Sequence, residues 1–184
     1  IVLTIRAAWS GTAIRQTNND LIAARLRADA TTADVVLVSP WYVAISLNRY
    51  DHGVTEIVTI PPLDDYSIHR YDLFKQRMQE AAPFDPVLDQ IGATLRRGGR
   101  IWFVGGLTRL PAGAEPTRLP PAPMVPWGWS EGAYQSSWSA LVTGFLMSRA
   151  GEVQEIAIQA GQPVNPLEQL PVYVFSGWRE GRPA

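Results

Sequence analysis

The sequence has no cysteine and no long apolar run. Without cysteine, disulfide bridges, thiol nucleophiles and cysteine-ligated metals are excluded, and the redox compartment stays open between cytosol and periplasm. No apolar stretch approaches the roughly 20 residues that a membrane-spanning helix needs. We therefore expect the chain itself to be a water-facing domain.

Charge of either sign is also sparse and evenly spread. The 16 basic and 17 acidic residues give a net charge of −1 and form no cluster. A polyanionic partner requires a basic patch, so nucleic-acid binding is not expected. At 184 residues the chain is long enough for one well-buried core, and we expect a single domain.

Two nucleotide-binding signatures are missing, G-x-x-x-x-G-K-[ST] and G-x-G-x-x-G. Gly105-Gly106 alone is too little for either. The two histidines, His52 and His69, are far apart in sequence and neither has a histidine four residues away, which argues against a metal site. We expect neither a cofactor nor a metal.

Short β-branched runs alternate with amphipathic stretches along most of the chain. Val35-Val-Leu-Val38 predicts a strand buried on both faces, and Ser39-Pro40 predicts a following helix with Ser39 as its N-cap. Such alternation is typical of right-handed βαβ units around a parallel sheet. In chain order we expect a helix over 21–28, a strand over 35–38, a helix over 40–52, a strand over 56–60, helices over 71–80 and 85–97, a strand over 100–104, a helix over 133–150 and strands over 152–160 and 172–176.

The connection between the last two expected strands is 11 residues long and has no helical pattern. These strands are therefore expected to pair antiparallel at a sheet edge. The predicted fold is α/β, a three-layer Rossmann-like domain with a mainly parallel central sheet and an antiparallel edge. Six prolines between 110 and 129 predict a long loop without regular structure, and such loops are often functional.

One serine lies in a sequence that matches a nucleophile elbow. Gly128-Trp-Ser130-Glu-Gly132 has the G-x-S-x-G spacing and precedes a predicted helix. An elbow also needs a buried strand before the serine and a histidine after it, whereas prolines precede Ser130 and both histidines lie upstream. We interpret the segment as a glycine-rich turn at the start of the helix, and we expect no catalytic residue.

A polar run follows the second expected strand. His69-Arg70-Tyr71-Asp72 lies shortly after Asp64-Asp65, at the kind of strand end where open α/β sheets bind ligands. His69, Arg70 and Asp72 are therefore candidates for a binding pocket. The alternative is that Asp72 or Ser67 caps the next helix while His69 and Arg70 bond to the loop.

Aromatic and basic residues form two further candidate groups. Flat aromatic faces beside arginine can stack on a sugar or pack against lipid headgroups, but aromatic residues are also ordinary core residues. Both interpretations stay open for the two groups. The first group comprises Trp41, Tyr42, Arg49, Tyr50 and His52, and the second comprises Trp127 and Trp129.

Several segments of the sequence together resemble the C-terminal soluble region of one protein group. The group is the bacterial polytopic glycosyltransferases of the GT-C type, related to protein mannosyltransferases and aminoarabinose transferases. The resemblance spans roughly residues 15–106 and includes no catalytic motif. The segments are Gln16-Thr-Asn-Asn-Asp-Leu-Ile-Ala23, Asp34-Val-Val-Leu-Val-Ser-Pro-Trp-Tyr42, Arg49-Tyr50, His52-Gly53, Pro61-Pro-Leu63 and His69-Arg-Tyr-Asp-Leu73.

The resemblance implies a membrane enzyme that moves a sugar from a polyprenyl-phosphate donor to an acceptor at the outer face of the cytoplasmic membrane. The catalytic acid of that group lies in a loop between the first membrane helices, a region without a counterpart here. This chain would then be a periplasmic accessory domain excised from a larger protein, consistent with its start at Ile1 without an initiator Met. Its partners would be the membrane-embedded part of the same polypeptide and a glycan or polyprenyl-phosphate-linked sugar, contacted by the two aromatic groups.

Two other functions remain open. The first is a free-standing Rossmann-like domain that binds a ligand or a partner at the strand ends near Ser39, 63–72 and Gly105. The second is an α/β enzyme of another type. A series of apolar spans encoded upstream of Ile1 would favour the membrane enzyme, because each span of about 20 residues crosses a bilayer once.

Overall fold

The fold is taken from a computed structural model that describes residues 14–50, 53, 55–111, 114–124 and 130–180. No helix within these residues combines the length and the apolar character that a bilayer crossing requires. The elements in chain order are α1 (Asn19–Asp29), β1 (Val35–Val38), α2 (Val43–Asn48), β2 (Glu56–Thr59), α3 (Tyr71–Met78), α4 (Asp85–Arg96), β3 (Ile101–Val104), α5 (Glu131–Arg149), β4 (Ala150–Ile156) and β5 (Val172–Trp178).

The five strands form one mixed sheet in the order β2-β1-β3-β5-β4. β1 pairs parallel with β2 on one side and with β3 on the other, so the buried β1 strand lies inside the parallel part. β5 pairs antiparallel with both β3 and β4. The predicted mixed α/β fold, with parallel strands in the centre and an antiparallel edge, is confirmed.

Alternating side chains of β1 belong to two different apolar clusters. Val35 and Leu37 pack with buried residues of α3, α4 and α5. Val36 and Val38 pack with buried residues of α1 and α2. Successive side chains of a strand point to opposite faces of the sheet, so each face of the central strand buries its own cluster. Such two-sided burial explains why the whole Val35–Val38 segment is apolar.

The helix after β1 differs from its prediction. It begins at Val43 and ends at Asn48, and no side chain caps its N-terminus. The Ser39 hydroxyl is instead hydrogen-bonded to the Ser139 hydroxyl of α5 at 2.9 Å. The predicted N-cap role of Ser39 is therefore wrong, because a tertiary contact engages the side chain that a local pattern assigned to the helix.

The proline-rich loop between β3 and α5 has no regular secondary structure in its described parts, 105–111 and 114–124, as predicted. It is nevertheless fastened to the helices. The Ala122 amide donates to the Met78 carbonyl at 2.7 Å, and the Tyr134 hydroxyl donates to the Pro120 carbonyl at 2.7 Å. These bonds hold the loop across α3 and α5.

Candidate functional site

The crevice where the strand order reverses is closed in this protein. In open α/β sheets, ligands commonly bind between the carboxyl ends of the two strands at this point, here β1 and β3. Gly105 after β3 has φ +122°, and a Cβ on it would overlap the backbone carbonyl of Ser39 after β1. Ser39 is buried and hydrogen-bonded to Ser139. Direct backbone contact and the serine pair thus hold these two strand ends together.

The carboxyl end of β2 is filled in a similar way. The Thr59 hydroxyl donates to the Pro61 carbonyl at 2.6 Å and accepts the Leu63 amide at 2.9 Å. Gln135 of α5 donates from Nε2 to the Ile60 carbonyl at 2.9 Å. The hydroxyl at this strand end is therefore engaged in holding the loop.

A cluster of rings lies beside these strand ends, with Trp41 at its centre. Trp41 is fully buried. Its ring centroid lies 4.5 Å from that of His69, 5.9 Å from that of Phe74 and 6.1 Å from that of Tyr42. The indole Nε1 finds no acceptor within the described part of the chain. Trp41 is thus a core residue, as one of the two interpretations had it, and it anchors the rings around it.

Three rings of this cluster reach solvent. Tyr42 is 49% exposed, Tyr71 is 39% exposed, and His69 is exposed as well. The His69 and Tyr71 ring planes are 16° apart with centroids at 6.4 Å, and the Tyr71 and Phe74 planes are 6° apart at 5.8 Å. We refer to Tyr42, His69 and Tyr71 as the aromatic surface. It is held from below by the buried rings of Trp41 and Phe74.

A three-residue charged group borders the aromatic surface. Arg70 contacts Asp72 through two parallel hydrogen bonds, at 2.9 and 2.7 Å, and donates to Asp65 at 2.6 Å. Hydrogen bonds from Ser67 and Arg70 lower the pKa of Asp65 to about 2, and the bonds from Arg70 lower the pKa of Asp72. The same bonds raise the pKa of Arg70. All three groups stay ionised at neutral pH, which suits them for binding rather than for proton transfer.

Tyr71 connects the aromatic surface to the start of α5. Burial raises the pKa of its hydroxyl, and the neighbouring Glu131 carboxylate, to which the hydroxyl is hydrogen-bonded, raises it further. The phenol therefore stays protonated and fixed in direction. Tyr71 was not among the candidates from sequence, although it lies inside the His69–Asp72 run. The signal for Tyr71 was its position in the sequence between two candidate residues, Arg70 and Asp72.

The other predicted site residues divide into two sets. Arg49 and Tyr50 are exposed, but they follow the far end of α2, about 11 Å along its axis from Tyr42 at the start. The Tyr50 carbonyl there accepts a hydrogen bond from Arg27. The structure thus separates Arg49 and Tyr50 from the aromatic surface. His52, Trp127 and Trp129 lie outside the described residues.

The serine of the G-x-S-x-G match lies at the N-terminus of α5. Ser130 has an extended backbone and makes no side-chain capping bond. Within the described residues no hydrogen bond joins it to an imidazole, and α5 begins directly after it at Glu131. In the same residues no group of three or more acidic or histidine side chains is placed to hold a metal ion.

No protein-family model, curated protein or solved structure matches this chain.

Proposed function

We propose that this chain is a non-catalytic, extracytoplasmic domain of a membrane glycosyltransferase, and that its aromatic surface binds a glycan. The parent enzyme would move a sugar from a polyprenyl-phosphate donor to an acceptor. In this proposal the domain holds the acceptor or the sugar portion of the donor near the membrane-embedded active site. The sequence resemblance supplies the enzyme class, and the aromatic surface supplies the binding role.

The observation that carries the proposal is the pairing of exposed rings with fixed charges. Tyr42, His69 and Tyr71 offer flat faces on which the apolar face of a sugar ring can pack. Beside them, Asp65 and Asp72 present carboxylate oxygens that accept hydrogen bonds from hydroxyl groups. Arg70 orients both carboxylates, so little order has to be created when a ligand binds.

The hydrogen bonding of the strand ends favours binding over catalysis. Ser39 directly follows β1 and Thr59 is the last residue of β2, and the hydroxyls of both are hydrogen-bonded inside the protein. The charged residues near the aromatic surface are locked in their ionised forms. A nucleophile and a base poised to exchange a proton would require the opposite arrangement.

The proposed architecture is a three-layer Rossmann-like domain. Its support is the parallel β2-β1-β3 order together with the two apolar clusters, which involve α1 and α2 in one case and α3, α4 and α5 in the other. This arrangement would place the aromatic surface at the carboxyl edge of the sheet, where α/β domains carry their ligands.

The proposal is tested by the affinity of the purified chain for sugar probes. Suitable probes are mannose and aminoarabinose phosphates of a short polyprenol, with calorimetry as the readout. We expect the double variant Y42A/Y71A to bind at least about tenfold more weakly, because each ring contributes on the order of 1 kcal/mol of contact.

A matched control is available in Tyr50. It is 42% exposed, comparable to Tyr42 and Tyr71, and lies outside the aromatic surface. We expect Y50A to bind like the wild type. Equal affinities for Y42A/Y71A and the wild type, or equal losses for Y50A and the double variant, would refute the assignment of the surface. The membrane parent is tested separately by the coding sequence upstream of Ile1, where we expect several apolar spans.

A further inference from the structure

A second surface lies where β5 meets the ends of α4 and α5. It begins with a break in the alternation of side chains along β5. Phe175 packs into the cluster with α4 and α5. Strict alternation would turn Trp178, three residues later, to the other face. Trp178 packs against the same cluster as Phe175, and between them Gly177 has φ +68°. The glycine therefore redirects the indole toward the ends of α4 and α5.

Two guanidinium groups lie over the redirected indole. The Arg96 guanidinium carbon, at the end of α4, is 4.1 Å from the ring centroid of Trp178. The Arg149 guanidinium carbon, at the end of α5, is 5.6 Å from the same centroid. Arg179 follows directly, and its guanidinium donates to the Gly151 carbonyl at 2.7 Å. Two arginines thus converge on one tryptophan, and a third follows it directly in the chain.

No ion pair within the described residues neutralises the positive charge of this group. Arg15, Arg25, Arg70, Arg77 and Arg100 each lie within 4.0 Å of a carboxylate. In the part of the chain that the structure describes, no such pair involves Arg96, Arg149 or Arg179. Helix C-termini favour arginine, which explains Arg96 and Arg149 individually. It does not explain why the two guanidinium groups share one indole.

Exposed apolar side chains lie next to Arg179. Met147 is 41% exposed and Val153 is 40% exposed. Both line a depression of about 80 Å³ that also includes Arg179 and one acidic residue, Glu152. The depression joins the charged group to an apolar one. We refer to Arg96, Met147, Arg149, Val153, Trp178 and Arg179 as the arginine face.

We propose that the arginine face docks on the surface of an anionic phospholipid bilayer. Guanidinium groups pair with phosphate oxygens, often bidentately. Tryptophan prefers the headgroup level of a bilayer, where one part of the ring is apolar and the N–H is wet. Met147 and Val153 would contact the acyl boundary. The charge of the chain as a whole, −1, offers no general attraction, so the interaction depends on this face.

The inference is independent of the glycan proposal, because the arginine face and the aromatic surface share no residue. It is tested by sedimentation of the chain with vesicles of phosphatidylcholine alone or with about one third phosphatidylglycerol, since an anionic surface is the required attractant. We expect binding to the mixed vesicles at low salt and none to phosphatidylcholine. High salt should release the chain, because screening shortens the range of the attraction.

Two double variants with the same change in net charge separate the face from overall charge. R96Q/R149Q should weaken binding about 25-fold, since each basic residue near an anionic surface contributes about fivefold. R109Q/R118Q removes two exposed arginines of the proline-rich loop and should bind like the wild type. M147E, at an exposed position of the helix, gives a second test that leaves the arginines intact and should also weaken binding.

The circular dichroism spectrum of each variant establishes that it is folded before binding is compared. The inference is overturned if the wild type fails to bind the mixed vesicles at low salt, or if R96Q/R149Q and R109Q/R118Q weaken binding equally. Retained binding by M147E would remove the apolar contact from the proposal, and retained binding by R96Q/R149Q would overturn it.

Discussion

A Cβ at residue 105 would overlap the backbone carbonyl of Ser39, so the ends of β3 and β1 touch only because Gly105 has no side chain. The contact lies at the point where the strand order reverses. In many α/β domains this point is an open crevice that holds the ligand. Here the two strand ends are in direct contact, and the exposed rings of the aromatic surface lie on the segments that follow β1 and β2.

The close contact between Gly105 and Ser39 predicts that a methyl group at residue 105 strongly lowers the free energy of unfolding. We expect Gly105→Ala to lower the free energy of unfolding by about 3 kcal/mol or more, because positive φ strains an L residue and the Cβ overlaps the chain. Gly106→Ala is the matched control, since nothing lies within 4 Å of its Cβ. Urea unfolding measures both, and equal stabilities of the two variants would contradict the contact.

The buried serine pair predicts non-additive substitutions. The Ser39 and Ser139 hydroxyls are 2.9 Å apart and both residues are buried. Each single change to alanine leaves one hydroxyl without its partner and should lower stability by about 1–2 kcal/mol. The double variant should lose about 1 kcal/mol less than the sum of the singles. If the stability losses of the two single variants add up to that of the double variant in urea unfolding, the two hydroxyls do not interact.

The hydrogen bonds of Asp34 predict how the free energy of unfolding depends on pH. Burial would raise its pKa, but hydrogen bonds from Arg100 and from the Thr31 and Arg100 amides outweigh this effect and lower the pKa below its usual value. The folded protein therefore binds a proton at Asp34 less readily than the unfolded chain. The resulting stability is fully present above about pH 4 and is lost as pH falls through the folded pKa.

The test is the free energy of unfolding between neutral pH and about pH 3. Asp34→Asn should be less stable by about 2–3 kcal/mol at neutral pH, because it leaves charged and amide donors poorly paired. The difference from the wild type should shrink as the solution becomes more acidic. Asp89→Asn, at an exposed position of α4, is the control for the same change of residue type and should leave stability at neutral pH close to that of the wild type. A difference between Asp34→Asn and the wild type that does not change with pH would contradict the account.

Ser67 predicts a measurable titration beside the aromatic surface. Its hydroxyl and amide both donate to Asp65 Oδ1, at 2.6 and 2.9 Å. Ser67→Ala removes the hydroxyl, the largest single cause of the low pKa, so the Asp65 pKa should rise from about 2 toward its usual value. Carboxyl carbon NMR follows this titration. Ser148→Ala, whose hydroxyl bonds Phe145 instead, should leave it unchanged, and an unmoved Asp65 in Ser67→Ala would contradict the assigned cause.

The sequence predicted best those elements whose burial is uniform. Val35–Val38 and Ile101–Val104 are apolar throughout because both faces of each strand are covered, and each was predicted to within one residue. The start of α2 was misplaced because the partner of Ser39 lies 100 residues away on α5. No local pattern carries that information.

The candidate site was predicted in fragments for the same reason. His69, Arg70 and Asp72 were found as one polar run, and Tyr42 was found in another group. Their proximity depends on Trp41, whose ring contacts that of its neighbour Tyr42 and that of His69 in the connection between β2 and α3. The arginine face was not predicted, because it depends on the positive φ of Gly177 and on the meeting of three elements.

The central claim, that the aromatic surface is a glycan-binding face without catalysis, is tested most directly by NMR of the isotope-labelled chain with a short polyprenyl-phosphate mannose. We expect resonances of Tyr42, His69 and Tyr71 to shift on titration while those of Tyr50 stay in place and the probe remains intact. Shifts confined to another surface, or release of free mannose by the chain, would contradict the claim.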